Sequence, residues 1–256
     1  MDTLPAWKIF SASFSQSAEI FKNIFKKTWI VISLLLVASY FFWNSITTGY
    51  GSGDMSRSLS IIFYVMFWFS LIPIGICWIE KTITKSEFIF RFDKRIFVSI
   101  WYSIIIYLFT IIPIAFSAFV LIALVSESSF SPVLASVIGV CFLFFWASVM
   151  MRFSLIMPAI AMNNSKTRLS RSWKLTSGYQ FKLLCLLAFP TALLGFGQTI
   201  LEKLMGTVIT TFESFVVVVI VFGVLQIYSA MLIAEIQARI FVFFHVPEKM
   251  NEYLKF

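Results

Sequence analysis

Long apolar stretches alternate with short polar segments along almost the whole chain. Six of these stretches are continuously apolar, and they lie near residues 28–46, 59–79, 96–125, 133–162, 181–201 and 215–234. An α-helix needs about 20 apolar residues to cross the hydrocarbon core of a bilayer, and each stretch is close to that length or longer. None shows the in-out alternation of a transmembrane β-strand. The pattern therefore predicts an all-α, polytopic transmembrane helical bundle with six spans.

The composition excludes a water-soluble globular domain. Of the 256 residues, 60% are hydrophobic and only 12% are charged, whereas soluble domains contain roughly 25% charged residues. The N-terminal residues do not have the pattern of a signal peptide, because the first apolar stretch begins only near residue 28. We therefore expect residues 1–256 to form a single membrane domain in which the first span is retained.

Positive charge is distributed unevenly between the two sides of the predicted spans. Four Lys and Arg residues precede the first span, five lie between spans two and three, and three lie in the tail. Six more lie in the region between spans four and five, if Arg152 and Lys182 at the facing ends of these spans are included. The other connections contain only Arg57 and Lys203. Loops rich in Lys and Arg remain in the cytoplasm. The asymmetry therefore predicts that both termini are cytoplasmic.

The segment before the first span has the pattern of an amphipathic helix. Helical spacing in residues 10–27 brings five apolar residues onto one stripe, opposite a polar face that contains lysines: Phe10, Phe14, Ala18, Phe21 and Phe25. Such a helix either lies in the membrane interface, with its lysines toward anionic headgroups, or packs against the protein's own spans. The spacing leaves both arrangements open.

The loop between spans four and five contains a second amphipathic segment. A short interfacial helix is expected from Ser165, which can cap its N terminus, to Ser177, with Gly178 as its stop. Basic residues near anionic lipid are each worth about 1 kcal/mol. This loop therefore provides a candidate contact for anionic lipid headgroups, which consists of Arg168, Arg171, Trp173 and Lys174.

Ionisable residues near the cytoplasmic ends of the spans form a candidate polar belt, which consists of Arg152, Glu235, Glu80 and Arg239. At a rise of about 1.5 Å per residue, Arg152 lies about 28 Å along span four from Val133, which places it at the inner boundary of the membrane. We expect Arg152 to pair with Glu235 or Glu80. Such a belt either locks packing and topology or forms a solute or proton site, and the first role is favoured.

The sequence contains little that points to catalysis. His245 is the only histidine, and Cys77, Cys141 and Cys185 lie within apolar stretches without the spacing of metal ligands. Neither a Gly-x-Ser-x-Gly turn nor a glycine-rich phosphate loop is present. We therefore expect no enzymatic activity, no cofactor and no metal. We also expect no nucleic-acid partner, because the net charge of +8 is distributed over short loops beside the membrane.

The loop between spans four and five and its flanks resemble a signature of a group of bacterial six-span membrane proteins. The group includes the membrane domain fused to some glycerophosphodiester phosphodiesterases, together with related stand-alone proteins. Eight residues match the pattern in order: Arg152, Pro158, Arg171, Ser172, Trp173, Leu175, Thr176 and Gly178. The chain departs from it at Asn163 and Asn164, where many members have an acidic residue. The resemblance implies a bacterial inner (plasma) membrane location and an accessory role, without the hydrolytic activity of the phosphodiesterase domain.

These observations predict a multi-pass protein with a non-enzymatic accessory or scaffold role in envelope or lipid processes. The alternative is a transporter or channel for a lipid-like or small solute, which would use the proline-containing spans and the polar belt. A third hypothesis is a membrane subunit that requires a separate membrane protein partner. A polar cavity reaching the middle of the membrane would favour transport, whereas a dry, aromatic-packed interior would favour a scaffold.

Overall fold

A computed structural model describes residues 4–47, 53–126, 131–163, 169–187 and 212–249, with the single positions 192, 199, 203 and 253. All regular structure in these ranges is helical, which confirms the all-α class. The helices are α1 Ala6–Ser15, α2 Ser17–Lys27, α3 Trp29–Thr47, α4 Gly53–Thr84, α5 Lys94–Ser126, α6 Pro132–Met151, α7 Ile156–Ala161, α8 Leu169–Leu175, α9, which is described over residues 180–187, and α10 Phe212–His245.

Three helical stretches are long and apolar enough to cross a membrane, namely Ser58–Thr84, Val137–Ala161 and Phe212–His245. A fourth candidate span is a bent pair of helices, Ser17–Lys27 and Trp29–Phe41, which meet at an angle of 67°. It counts as a span only if the pair crosses the membrane as one unit. The described residues therefore contain three or four such helices, which are typical of a membrane protein. Most of the predicted span near residues 181–201 lies outside the described residues.

Helices α3, α4 and α10 pack together and form the centre of the bundle. Near one end, the Phe41 ring of α3 stacks on Phe63 of α4 at 5.9 Å, and Trp43 of α3 lies 5.2 Å from Phe215 of α10. Toward the other end, Trp78 of α4 reaches Glu235 of α10. Helices α4 and α10 therefore run parallel, and the polar contacts between them lie toward their C-terminal ends.

Helix α10 approaches α3 closely at Gly223. A Cβ atom at this position would lie 2.8 Å from Cδ2 of Leu35, so the absence of a side chain allows the two helices to pack closely.

Helix α10 continues beyond the predicted end of span six at residue 234, and it ends only at His245. Buried residues such as Ile236 and Ile240 keep this part of α10 packed on the core.

The predicted span four, residues 133–162, is broken. Helix α6 ends at Met151, and the next residues form turns with i→i+3 hydrogen bonds, including those from Phe153 N to Met150 O and from Ser154 N to Met151 O. Pro158 explains why the regular helix cannot continue, since its ring lacks an N–H group and would clash with the carbonyl group of residue 154. The chain resumes as the short helix α7.

The N-terminal segment differs from the predicted stripe. It forms two helices, α1 and α2, which both pack on α10. The buried residues include Ile9, Ile20 and Ile24, whereas Phe25 of the predicted apolar stripe is 63% exposed. The separation at Gln16 shifts the helical phase, so one continuous stripe is not formed. Packing on the protein's own helices is thus observed, while the rings of Phe21 and Phe25 remain exposed.

Helix α5 displays an outward-facing apolar row along its length. Its members recur every three or four residues and are 45–77% exposed: Phe97, Trp101, Ile104, Leu108 and Ile112. An exposed apolar surface of this size is unusual for a monomeric soluble protein and indicates contact with lipid or with another protein. This surface agrees with the membrane character of the long helices.

Candidate functional site

The break after α6 exposes a backbone carbonyl group that two hydroxyl side chains bind. Ser172 Oγ donates a hydrogen bond to the Arg152 carbonyl oxygen at 2.6 Å, and Thr176 Oγ1 lies 3.2 Å from the same oxygen. Both Ser172 and Thr176 are fully buried. The last carbonyl groups of a helix have no partner within the helix, so these hydroxyl groups join α8 to the end of α6.

The Arg152 side chain completes this junction from the other side. Its guanidinium group lies over the Trp173 ring, 4.2 Å from the ring centre, and its Nη2 atom donates to Gln180 Oε1 at 3.4 Å. The same Gln180 oxygen accepts a hydrogen bond from the Gly178 backbone N at 3.0 Å. Gly178 has φ +85, the left-handed conformation that commonly ends a helix.

Six of the eight residues that carry the family resemblance thus have an identified structural place. Arg152, Ser172, Trp173 and Thr176 contact one another, Gly178 ends the turn after α8 and Pro158 interrupts the helix after α6. This arrangement fixes where the chain turns between the fourth and fifth predicted spans. It is a structural junction, and it also leaves a cationic group beside apolar surfaces.

The predicted ion pair between Arg152 and Glu235 or Glu80 is wrong. In the described part of the chain, no carboxylate oxygen lies within 4 Å of the Arg152 guanidinium group, and both predicted acidic partners are bound elsewhere. The physical reason is positional, because α6 and α8 meet each other at the break and Trp173 covers the guanidinium face. The four residues of the candidate polar belt therefore belong to three separate groups.

Apart from the Arg152 junction, the belt residues form two ionic groups, and Glu235 with Arg239 is the first of them. Their side chains are 2% and 5% exposed, and Arg239 Nη2 lies 2.8 Å from Glu235 Oε1, one helical turn away. Trp78 Nε1 donates to Glu235 Oε2 at 2.9 Å, and Thr82 Oγ1 donates to the same atom. Three side chains thus donate to the Glu235 carboxylate, whereas Arg239 Nη1 is buried without a hydrogen-bond partner among the described residues. This group holds α4 against α10.

Glu80 belongs to a second ionic group at the start of α5. Arg91 Nη2 contacts both oxygens of Glu80 at 2.6 and 2.7 Å, and Arg95 Nη2 lies 2.9 Å from Glu80 Oε2. Arg95 also binds Asp93, with Nε 2.8 Å from Oδ2, and donates from Nη1 to the carbonyl oxygen of Ala161 at 2.5 Å. This group therefore connects the ends of α4, α5 and α7.

Asp93 has a second role as the N-terminal cap of α5. Its Oδ1 atom accepts a hydrogen bond from the backbone N of Arg95 at 2.9 Å. The hydrogen bonds and charge of Arg95 hold the pKa of Asp93 below its ordinary value, because they stabilise the ionised carboxylate.

Three important contact residues were not predicted as site residues: Arg95, Thr82 and Gln180. The order Asp93-Lys94-Arg95 before an apolar stretch is a recognisable capping signal, and it could have placed Arg95 beside Asp93. The roles of Thr82 and Gln180 depend on which helices become neighbours, and no local pattern in the sequence reports that.

The residues predicted to contact lipid headgroups are partly described. Arg171 and Lys174 are exposed, whereas Trp173 is half-buried beneath Arg152, and Arg168 lies outside the described residues. As the helical spacing of α8 predicts, the two basic side chains point away from the buried Thr176. Trp173 is therefore occupied by contacts inside the protein, and Arg171 and Lys174 are the side chains available to headgroups.

Across the described ranges, no group of three His, Cys, Asp or Glu residues could hold a metal ion. Cys77 is buried, and Cys141 and Cys185 are exposed as free thiols. Three cavities beside the described helices are lined mainly by apolar side chains. The chemistry that the described residues offer is therefore ionic pairing by their charged side chains and apolar contact by the residues that line the cavities.

Comparison with protein-family models, with curated proteins and with solved structures finds no match to this chain.

Proposed function

We propose that the protein is a six-span, multi-pass protein of the bacterial inner membrane with both termini in the cytoplasm. The long apolar helices support a membrane location, and the placement of eighteen of the 20 Lys and Arg residues on one side supports the orientation. The residues shared with the group of bacterial membrane proteins named above support the inner membrane.

Cysteine accessibility in intact cells tests this topology. In a variant without Cys77, Cys141 and Cys185, a single cysteine at Ser86 is expected to resist a membrane-impermeant thiol reagent until the inner membrane is permeabilised. A single cysteine at Ser131 is expected to react from outside, and both positions are exposed. Reaction of the Ser86→Cys variant in intact cells, or protection of Ser131→Cys, would reverse the proposed orientation.

Within that membrane we propose a non-enzymatic accessory or scaffold role in envelope or lipid processes, with contact to anionic lipid at the cytoplasmic face. The observation that carries this proposal is that Glu80, Glu235 and Arg239 of the candidate belt form ion pairs within the protein. Groups bound in this way are not available to move a solute or a proton. The exposed charges of α8, Arg171 and Lys174, remain available to lipid headgroups.

Lipid enrichment around the purified protein tests the role. In nanodiscs that contain phosphatidylglycerol and phosphatidylcholine, the wild-type chain is expected to enrich phosphatidylglycerol in its first lipid shell. The double variant Arg171→Gln/Lys174→Gln should lose part of this enrichment, and the charge-preserving control Arg171→Lys/Lys174→Arg should retain it. Equal lipid shells in all three proteins would contradict the contact. Protein-dependent solute flux in proteoliposomes would instead favour a transporter.

A further inference from the structure

An open groove lies between α6 and α9 beside the Arg152 junction. Its volume is about 440 Å³, and it is lined by apolar side chains at most positions: Phe144, Phe145, Val149, Phe181 and Leu184. Ser148 contributes to the same wall, and Arg152, Trp173 and Gln180 line the end where α6 stops. Phe144 and Phe145 are each 58% exposed, and Phe181 is 70% exposed. The groove is therefore open to the surroundings of the bundle.

Arg152 brings an unbalanced positive charge to this groove. Its guanidinium group has five N–H donors, and the described contact that uses one of them is the long hydrogen bond to Gln180 at 3.4 Å. The described residues include no carboxylate within ion-pair distance of it. The guanidinium carbon lies over the Trp173 ring, 4.2 Å from its centre, and the N–H edges of the guanidinium group are the groups that can bind an anion. Arginine binds phosphate oxygens through such edges.

The length of the groove suits a lipid headgroup together with the first part of its acyl chain. Phe144 lies eight residues before Arg152 on α6, which corresponds to about 12 Å along the helix. Leu184 lies four residues after Gln180, so both walls lead away from the charged end in the same direction. A cation followed by an apolar channel complements an anionic headgroup followed by an acyl chain.

We propose that this groove binds one anionic phospholipid, with its phosphate at Arg152 and Gln180 and one acyl chain between α6 and α9. The proposal rests on the proposed membrane function and deepens it, because it replaces a general contact with headgroups by one stoichiometric site. Arg171 and Lys174 on the neighbouring helix add positive potential near the phosphate. Trp173 holds the arginine in place rather than binding lipid itself.

Native mass spectrometry of the full chain in detergent tests the site. We expect one phosphatidylglycerol per chain to be retained and phosphatidylcholine to bind more weakly. Arg152→Gln should weaken phosphatidylglycerol binding about tenfold, since it removes charge-assisted hydrogen bonds. Ser148→Phe should cause a similar loss by filling the groove while Arg152 remains. Lys22→Gln is the matched control, because it removes one exposed positive charge of α2 that does not line the groove and should leave the tightly bound lipid in place.

Two results would overturn the proposal. Wild-type retention of phosphatidylglycerol in both Arg152→Gln and Ser148→Phe would exclude the groove, and Ser148→Phe alone decides the matter if Arg152→Gln does not fold. Displacement of the lipid by inorganic phosphate would show a simple anion site that needs no acyl chain. If the groove variants behave as wild type while Arg171→Gln/Lys174→Gln still lowers lipid enrichment in nanodiscs, the groove is wrong and the proposed function stands.

Discussion

At the scale of single residues, Glu235 has the most enclosed charge among the described ion pairs, with a side chain only 2% exposed. It accepts hydrogen bonds from Trp78, Thr82 and Arg239. Glu235→Gln would keep the shape and remove the charge, which leaves the Arg239 guanidinium buried without its counter-ion. Removing one partner of a buried pair costs about 3–5 kcal/mol, and we expect a loss of that order in the free energy of unfolding.

Unfolding of the purified protein by added SDS in mixed micelles measures this loss. Replacing both partners, in Glu235→Gln/Arg239→Met, should be less harmful than the single change, because no isolated charge remains. A single variant as stable as the wild type would show that water reaches this pair.

The residue contacts also show what could be read from the sequence. The pairing of Glu235 with Arg239 follows from their spacing of four, and the depth of Arg152 along its span follows from counting residues. The expected pairing of Arg152 with an acidic residue failed because depth does not determine rotation about the helix axis. Which side chains face each other depends on the lateral order of the helices, and hydropathy contains no information about that order.

At the scale of elements, the turn between α8 and α9 depends on Gly178. Its φ of +85 costs an L-residue about 1–3 kcal/mol, so Gly178→Ala should lower the free energy of unfolding by that amount. Gly75→Ala is the control. Gly75 lies inside α4, where a Cβ would meet nothing within 4 Å, and alanine there should stabilise the helix by about 0.5–1 kcal/mol.

The same SDS titration distinguishes the two alanine variants, which should move in opposite directions. If both variants behaved alike, the positive φ at Gly178 would not determine the stability of the turn.

The sequence predicted helices more reliably than their boundaries. Apolar length placed α3, α4, α5 and α10, because continuous hydrophobicity has one stable form in lipid. Pro158 interrupts the predicted span four, but neighbouring segments can repair a proline kink, and the sequence does not show whether they do. In the N-terminal segment, the interruption at Gln16 changes the face that every later residue occupies, so the sequence alone did not show which side chains pack on α10.

At the scale of the whole molecule, the group of Glu80, Arg91, Asp93 and Arg95 holds several helices together, and it makes stability depend on pH. The folded protein lowers the pKa of Asp93 below its ordinary value of 3.8. The stabilisation is therefore fully present above the unfolded pKa and is lost as the pH falls through the lower folded pKa.

Thermal unfolding at a series of pH values between about 5 and 3 should show this loss, with the unfolding temperature falling as Asp93 becomes protonated. Asp93→Asn should flatten the dependence in that window. The control is Glu87→Gln, which changes a carboxylate that is 90% exposed in the same connection between α4 and α5. This variant should leave the pH dependence of the unfolding temperature unchanged. An identical slope in Asp93→Asn and the wild type would remove Asp93 as the source.

The parallel register of α4 and α10 has a consequence for how the protein responds to its surroundings. Thr82 lies about 36 Å along α4 from Ser58, and Glu235 lies about 35 Å along α10 from Phe212. Both distances exceed the roughly 30 Å of bilayer hydrocarbon. In the orientation that we propose, both helices cross from the outer side, and their ionic contacts would then stand at the cytoplasmic water boundary. Ionic strength in the cytoplasm then acts on the half-exposed Arg91 and its neighbours, whereas acyl-chain composition acts on the aromatic half of the bundle.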